Sequence, residues 1–278
     1  MTRRGLALSC LMLGAAFWLL RPPPAHAAPG LPAECSAPVD LLATDSPLPR
    51  LSTALRGRDT VKVIVLGAGS ALGAVPREDA GRLGAEADAR PGTHSARLPD
   101  TPPDLAWPGR FAVALQAAHP GRRIDVSTIA RPGGTVADAR RIIDSDVLRE
   151  APALLVWQIG IADIRQGRPV PEFGADIEAA LDRLAKRRID VVLVDMQYGA
   201  ATALFINTAP YRAYLRWIAR SHDLPYLRRH ELMQHWFENG SFSLHPEDVG
   251  RARADKLAID ACVGGQLAAL VEMALDSP

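Results

Sequence analysis

Short apolar runs, separated by stretches of helical periodicity, set the rhythm of this chain. Val61-Lys62-Val63-Ile64-Val65-Leu66 is rich in β-branched residues and ends at Gly67, the form of a strand buried on both faces. Similar runs follow at Ile124-Asp125-Val126-Ser127-Thr128, Leu154-Leu155-Val156-Trp157 and Ile189-Asp190-Val191-Val192-Leu193-Val194, with a weaker one at Pro225-Tyr226-Leu227. Between them, residues 108–118, 136–143, 173–186 and 211–221 carry the apolar spacing of helices, and an Ala- and Leu-rich stretch over 249–275 predicts a closing helix. Strands alternating with helices of this length predict one α/β domain: a parallel sheet of about five strands with helices on both faces.

Two segments break the rhythm. Residues 28–60 are Pro-rich and read as an extended N-terminal strap, leaving 61–278 as the α/β domain. Residues 75–106 hold Pro76, Pro91, Pro99, Pro102 and Pro103 with little apolar periodicity, and read as a long mobile loop. Such a loop is usually functional or disordered, and this one leaves the sheet edge where open α/β folds bind ligands.

The chain has 278 residues, enough for one sizeable core, and nothing obliges a second domain. Its start reads as an export signal over residues 1–27. Arg3 and Arg4 precede an apolar run from Gly5 to Leu20, and Ala25-His26-Ala27 has the form of a cleavage site. No other segment reads as a membrane span, so the mature protein is expected to be periplasmic or secreted. Formal net charge is +1, and removing Arg3, Arg4 and Arg21 (1 − 3) leaves about −2. That balance gives no electrostatic case for nucleic acid. Cys10 leaves with the signal, and Cys35 with Cys262 then form an even pair suited to a disulfide in an oxidising compartment. No Cys/His cluster has metal spacing, and no metal or cofactor is expected.

The chemistry concentrates in a few blocks. Gly67-Ala68-Gly69-Ser70-Ala71-Leu72-Gly73 is a glycine-rich turn after the first strand, where Gly67 and Gly69 let a ligand approach the backbone. Its spacing is one residue off a dinucleotide fingerprint, and no acidic ribose ligand follows. Further on come Pro132-Gly133-Gly134-Thr135, then Trp157-Gln158-Ile159-Gly160-Ile161-Ala162-Asp163, and finally Phe242-Ser243-Leu244-His245-Pro246-Glu247-Asp248.

In order and spacing these blocks resemble those of the SGNH (GDSL-type) hydrolases, particularly exported bacterial members, over roughly residues 60–275. The resemblance implies a flavodoxin-like three-layer fold and ester hydrolysis. It places Gly69 at the nucleophile, Gly133 at the oxyanion-hole glycine, Ala162 at the oxyanion-hole Asn, His245 at the base and Phe242 at its orienting Asp. Three of those positions lack the required group. A serine nucleophile needs a base, and the base needs a third group to hold its tautomer. A one-residue shift of the turn would let Ser70 attack, with His245 as base and the Gly133 N–H as donor.

Other residues have plainer readings. Asp163 suits a ligand contact or, more simply, a helix cap. His230 and His235 are spaced poorly for a metal and read as packing or capping groups. Trp107, Trp157, Trp217 and Trp236 read as core or groove-edge residues. The expectation is a degenerate SGNH-fold protein that binds an acylated or carbohydrate envelope ligand with little or no turnover. The alternatives are an active ester or O-acetyl hydrolase using Ser70 and His245, and a structural partner in an envelope assembly.

Overall fold

The computed structural model describes residues 25–26, 31–72, 102–199, 205–245 and 248–277. The predicted signal, apart from Ala25–His26, and the loop over 75–106, apart from its last five residues, lie outside the described residues, as do Gly73, Pro246 and Glu247.

Five parallel strands form the centre: β1 (Val61–Gly67), β2 (Ile124–Ala130), β3 (Leu154–Gln158), β4 (Asp190–Val194) and β5 (Tyr226–Leu227). Their spatial order is β2-β1-β3-β4-β5. Each apolar run read from the sequence is one of these strands. β3 is buried at every position, as expected of a strand covered on both faces. The chain leaves β1 toward β2 on one side, while β3 lies on the other. The ends of β1 and β3 therefore flank a topological switch point, the usual ligand crevice of this strand order.

Helices α1 (Pro49–Arg56), α2 (Trp107–Ala118), α3 (Val136–Ile142), α4 (Ile161–Arg165), α5 (Val170–Lys186), α6 (Ala209–Ser221), α7 (Arg229–Glu238) and α8 (Val249–Asp276) complete the layers. Strand side chains alternate between two cores. Val63, Val65, Leu154 and Val156 face a core with Phe111 of α2, Trp236 of α7 and Val263 and Leu267 of α8. Ile64, Leu66, Leu155 and Trp157 face the other, with Ile177 and Leu181 of α5 and Leu215 of α6. The period-two alternation of a strand thus divides one apolar run between two helix layers.

The N-terminal segment departs from the expected extended strap. Pro49–Arg56 is helical, with Pro49 in the first turn, where its missing N–H costs nothing. Leu51, buried, donates its main-chain N–H to Asp190 Oδ2 at 2.8 Å. The Cys35–Cys262 bridge, with Cα atoms 5.0 Å apart, fastens this segment to α8. Gln266 Nε2 donates to the Cys35 carbonyl at 2.6 Å beside it. Helix α7 has no counterpart in the apolar periodicity; its buried residues include Arg229 and His230 beside Leu232, Met233 and Trp236.

Helix α8 corrects the expectation that no segment beyond the export signal is long and apolar enough to cross a membrane. Among the described residues, Gly250–Asp276 meets that test. Cys262, Val263, Leu267, Leu270 and Val271 of this helix lie in the core with α2.

Candidate functional site

All five strands are parallel, so the turns after them meet at one edge of the sheet. Gly67 pairs in register with Ala130, which brings the β1 turn beside the β2–α3 loop. A cleft opens there, lined by Gly67 and Ala68 at the end of β1, Arg131 and Gly134 after β2, and Gln158, Gly160, Ala162 and Asp163 from the end of β3 onward. Three separated sequence blocks therefore build one site.

The backbone of the cleft is set by glycine where other residues would not fit. Gly160 adopts φ +125°, and a Cβ there would fall 2.5 Å from Met196 Cε. Gly133 adopts φ +71° at an exposed point of the β2–α3 loop, with open space around it. Gly134, its neighbour, lines the cleft and donates its N–H to the Arg131 carbonyl at 3.0 Å. Thr135 then starts α3 with a reciprocal capping box to Asp138. The Thr135 main-chain N–H, first among the causes, holds the Asp138 carboxyl below its ordinary range.

Asp163 has a definite structural role. Its two oxygens accept the Val136 N–H at 3.0 and 3.2 Å, capping α3 from the neighbouring loop, and Arg168 Nη1 lies 3.2 Å away. Burial pushes its pKa up, against those hydrogen bonds. Asp248 is likewise a cap, accepting the Arg251 N–H at 2.8 Å at the start of α8. Both carboxylates that could have stood in for the orienting Asp are thus engaged at helix N-termini.

Ser70 lies in a 3₁₀ turn over Gly69–Leu72 and is half-buried. Its Oγ accepts from Gln158 Nε2 at 2.8 Å and from Arg229 Nη1 at 3.1 Å. Among the described residues no hydrogen bond joins Ser70 to His245. His245 is exposed, and its main-chain N–H donates to Ser243 Oγ at 3.1 Å. Phe242, which the resemblance matches to the orienting carboxylate, is buried and packed nearly perpendicular to the Trp236 ring, centroids 6.1 Å apart. Ala162 is buried in the first turn of α4 and has no side-chain donor to offer an oxyanion. Gly69, which the resemblance matches to the nucleophile, has no side chain.

Sequence reasoning missed Gln158 and Arg229. Arg229 is 2% exposed, sits 5.8 Å over the Trp107 ring, and is the second residue after β5. Burial lowers its pKa, while Asp260 and Asp195 draw it back up. A pair of arginines directly after a short strand was the signal available in the sequence.

A second buried polar cluster lies at the ends of β4 and β5. Asp195 Oδ1 accepts the His230 N–H and Oδ2 the Tyr226 hydroxyl, both at 2.8 Å. Burial pushes Asp195 up to about 7. His230, packed edge-on to Tyr198 at 5.1 Å, is pushed down to about 4 chiefly by burial. His230 is thus a packed, neutral residue. Among the described residues no group of three or more His, Cys, Asp or Glu could hold a metal ion.

The model of the non-GDSL lipase-like family matches residues 34–277. The chain belongs to that family. No curated protein matches it. Among solved structures it is similar to LAE5, an α/β hydrolase enzyme from the metagenome of Lake Arreo, Spain. That match has 16% identity and a TM-score of 0.54, covering 78% of this chain and 98% of that one. A GDSL-like lipase candidate from Parabacteroides merdae has 13% identity and a TM-score of 0.54, covering 79% and 99%. The acetylxylan esterase Axe2 of Geobacillus stearothermophilus has 16% identity and a TM-score of 0.49, covering 74% and 95%. The two likenesses with a TM-score of 0.54 show the fold of this non-GDSL lipase-like protein.

Proposed function

We propose that this member of the non-GDSL lipase-like family is an exported protein that binds an acylated or carbohydrate ligand of the cell envelope with little or no turnover. One observation carries the reading. The Ser70 hydroxyl is held by Gln158 and Arg229, and among the described residues no hydrogen bond joins it to His245, which stands on another loop. Deprotonation of a serine requires a base within hydrogen-bond reach. The turns after β1, β2 and β3 line a cleft at the switch point, where folds of this strand order bind ligands. The Cys35–Cys262 bridge supports an oxidising location, periplasmic or extracellular.

A second reading, ester or O-acetyl hydrolysis by Ser70, is favoured by the Arg229 guanidinium, whose positive charge would stabilise a Ser70 alkoxide. Turnover of p-nitrophenyl acetate and butyrate by the purified protein separates the two. The binding reading expects rates near the uncatalysed background, unchanged by Ser70→Ala or His245→Ala. Turnover that both substitutions abolish would overturn it.

A further inference from the structure

A serine hydroxyl has two acceptor lone pairs and one donor hydrogen. At Ser70 both acceptor positions are filled from the protein side, by Gln158 Nε2 at 2.8 Å and Arg229 Nη1 at 3.1 Å. With the amide so oriented, the hydroxyl hydrogen is the one function Ser70 has left. Two N–H donors, one of them cationic, withdraw density from Oγ and make that hydrogen a stronger donor. Ser70 is half-buried, at the turn that lines the cleft with Gly67 and Ala68, and Gln158 lines it from β3.

The charge behind this donor is poorly compensated. Among the described residues, no carboxylate lies within ion-pair distance of Arg229, although the side chain is 2% exposed. Asp260, whose charge attracts it most, is itself paired with Lys256 at 2.9 Å. Arg229 Nε and Gln158 Oε1 are buried without hydrogen-bond partners. The acidic residues of the cleft do not oppose an anion either. Asp138 is paired with Arg141 at 3.1 Å and Asp163 with Arg168 at 3.2 Å. A buried guanidinium without a counter-ion, set behind a hydroxyl whose hydrogen is left to donate, is complementary to a negatively charged acceptor.

We propose that Ser70, polarised by Gln158 and Arg229, is the donor that anchors a carboxylate of the ligand at the edge of the cleft. This rests on the binding reading and narrows its ligand to an acidic one. A carboxylate oxygen would sit ~2.7 Å from Ser70 Oγ, the ordinary O–H···O⁻ distance. The carboxylate could belong to an acidic sugar or to a free acyl chain, and its recognition at Ser70 is the same in both.

The test is calorimetric titration and thermal-shift measurement on the purified protein at constant ionic strength. Sodium galacturonate and sodium butyrate serve as probes, with galactose and butyramide as their neutral counterparts. At least one carboxylate should bind and raise Tm with concentration, while its neutral counterpart should not. A response to galacturonate alone assigns the acidic sugar, and to butyrate alone the acyl chain. Ser70→Ala should weaken binding about tenfold, the ordinary worth of a hydrogen bond to a charged group. Gln158→Glu supplies Arg229 with an internal counter-ion and turns the Ser70 hydrogen inward. It should abolish binding while leaving the ligand-free Tm equal or higher. Equal responses to charged and neutral probes, no response to either carboxylate, or undiminished binding by a folded Ser70→Ala or Gln158→Glu protein would overturn the proposal. Neither carboxylate is an ester, so hydrolysis of p-nitrophenyl esters would sink the binding reading without touching these results.

Discussion

Asp163 accepts the main-chain N–H of Val136 through both carboxylate oxygens, at 3.0 and 3.2 Å, across 27 residues of sequence. The contact ties the β3–α4 turn to the start of α3 and fixes the width of the cleft between them. Val136 is 2% exposed and Asp163 1%, so neither group has water to replace the other. Removing the carboxylate would leave a buried N–H unpaired and Arg168 without one of its two partners. Asp163→Ala should therefore destabilise the protein by about 2–4 kcal/mol, and Asp163→Asn by less, since an amide oxygen still accepts. Urea unfolding with an unchanged m-value measures this; a loss below ~0.5 kcal/mol for Asp163→Ala would show that the cap is dispensable.

The bridge between Cys35 and Cys262 closes a separation of 227 residues and holds the N-terminal segment against α8. Reduction should cost roughly 3–5 kcal/mol if it acts through the unfolded chain. Denatured, unreduced protein should then show no thiol from either residue. Two titrating thiols at Cys35 and Cys262 would refute the bridge.

The strands were legible because each is a short apolar run, and their alternation with helices determined the parallel sheet. The disulfide pair followed from counting cysteines. The site was legible as a place and only partly as chemistry. Gly67, Gly134, Ala162 and Asp163 line one cleft, but the partners of Ser70 are Gln158, one residue past a quoted Trp, and Arg229, 159 positions away. An arginine buried over Trp107 contradicts the usual exposure of its residue type, and only the packing of α7 on α2 and α8 reveals it. Helix α7 escaped for a related reason. Arg229 and His230 occupy its buried face, so apolar periodicity could not mark it.

Asp195 and His230 give opposite contributions to stability against pH. Asp195 is raised to about 7, so its contribution is fully present below the unfolded value near 3.8 and is lost as pH rises through 7. His230 is lowered to about 4, so its contribution is present above 6.5 and is lost as pH falls through 4. Asp190, raised to about 6 by burial, acts in the same direction as Asp195. Stability should fall from pH 5 to pH 8 as the two carboxyls are forced to ionise. Asp195→Asn keeps an acceptor for the His230 N–H and offers an amide NH2 that can donate to the Tyr226 hydroxyl oxygen, while removing the titration. It should flatten that slope by several degrees of Tm. An unchanged slope would mean that Asp195 is ionised throughout.

Ester hydrolysis is the most exposed expectation. The wild-type rate should lie at least ~10³-fold below that of a competent enzyme of the SGNH type, because losing one oxyanion donor alone costs about 10²–10³. Ala162 provides no such donor, and Phe242 is packed on Trp236 where a carboxylate would hold the His245 tautomer. Asp163 and Asp248 each cap a helix N-terminus. Restoring Gly69→Ser, Ala162→Asn and Phe242→Asp together should raise the rate by 10-fold or more, on the order of one regained oxyanion donor. The Phe242→Asp change carries its own cost, for it places a carboxylate where a ring is 5% exposed. A melting curve must accordingly show that the triple variant is folded before its rate is read. A folded variant with no gain, or a wild-type protein already turning over p-nitrophenyl acetate at an ordinary esterase rate, would mean that the chemistry resides in residues other than these.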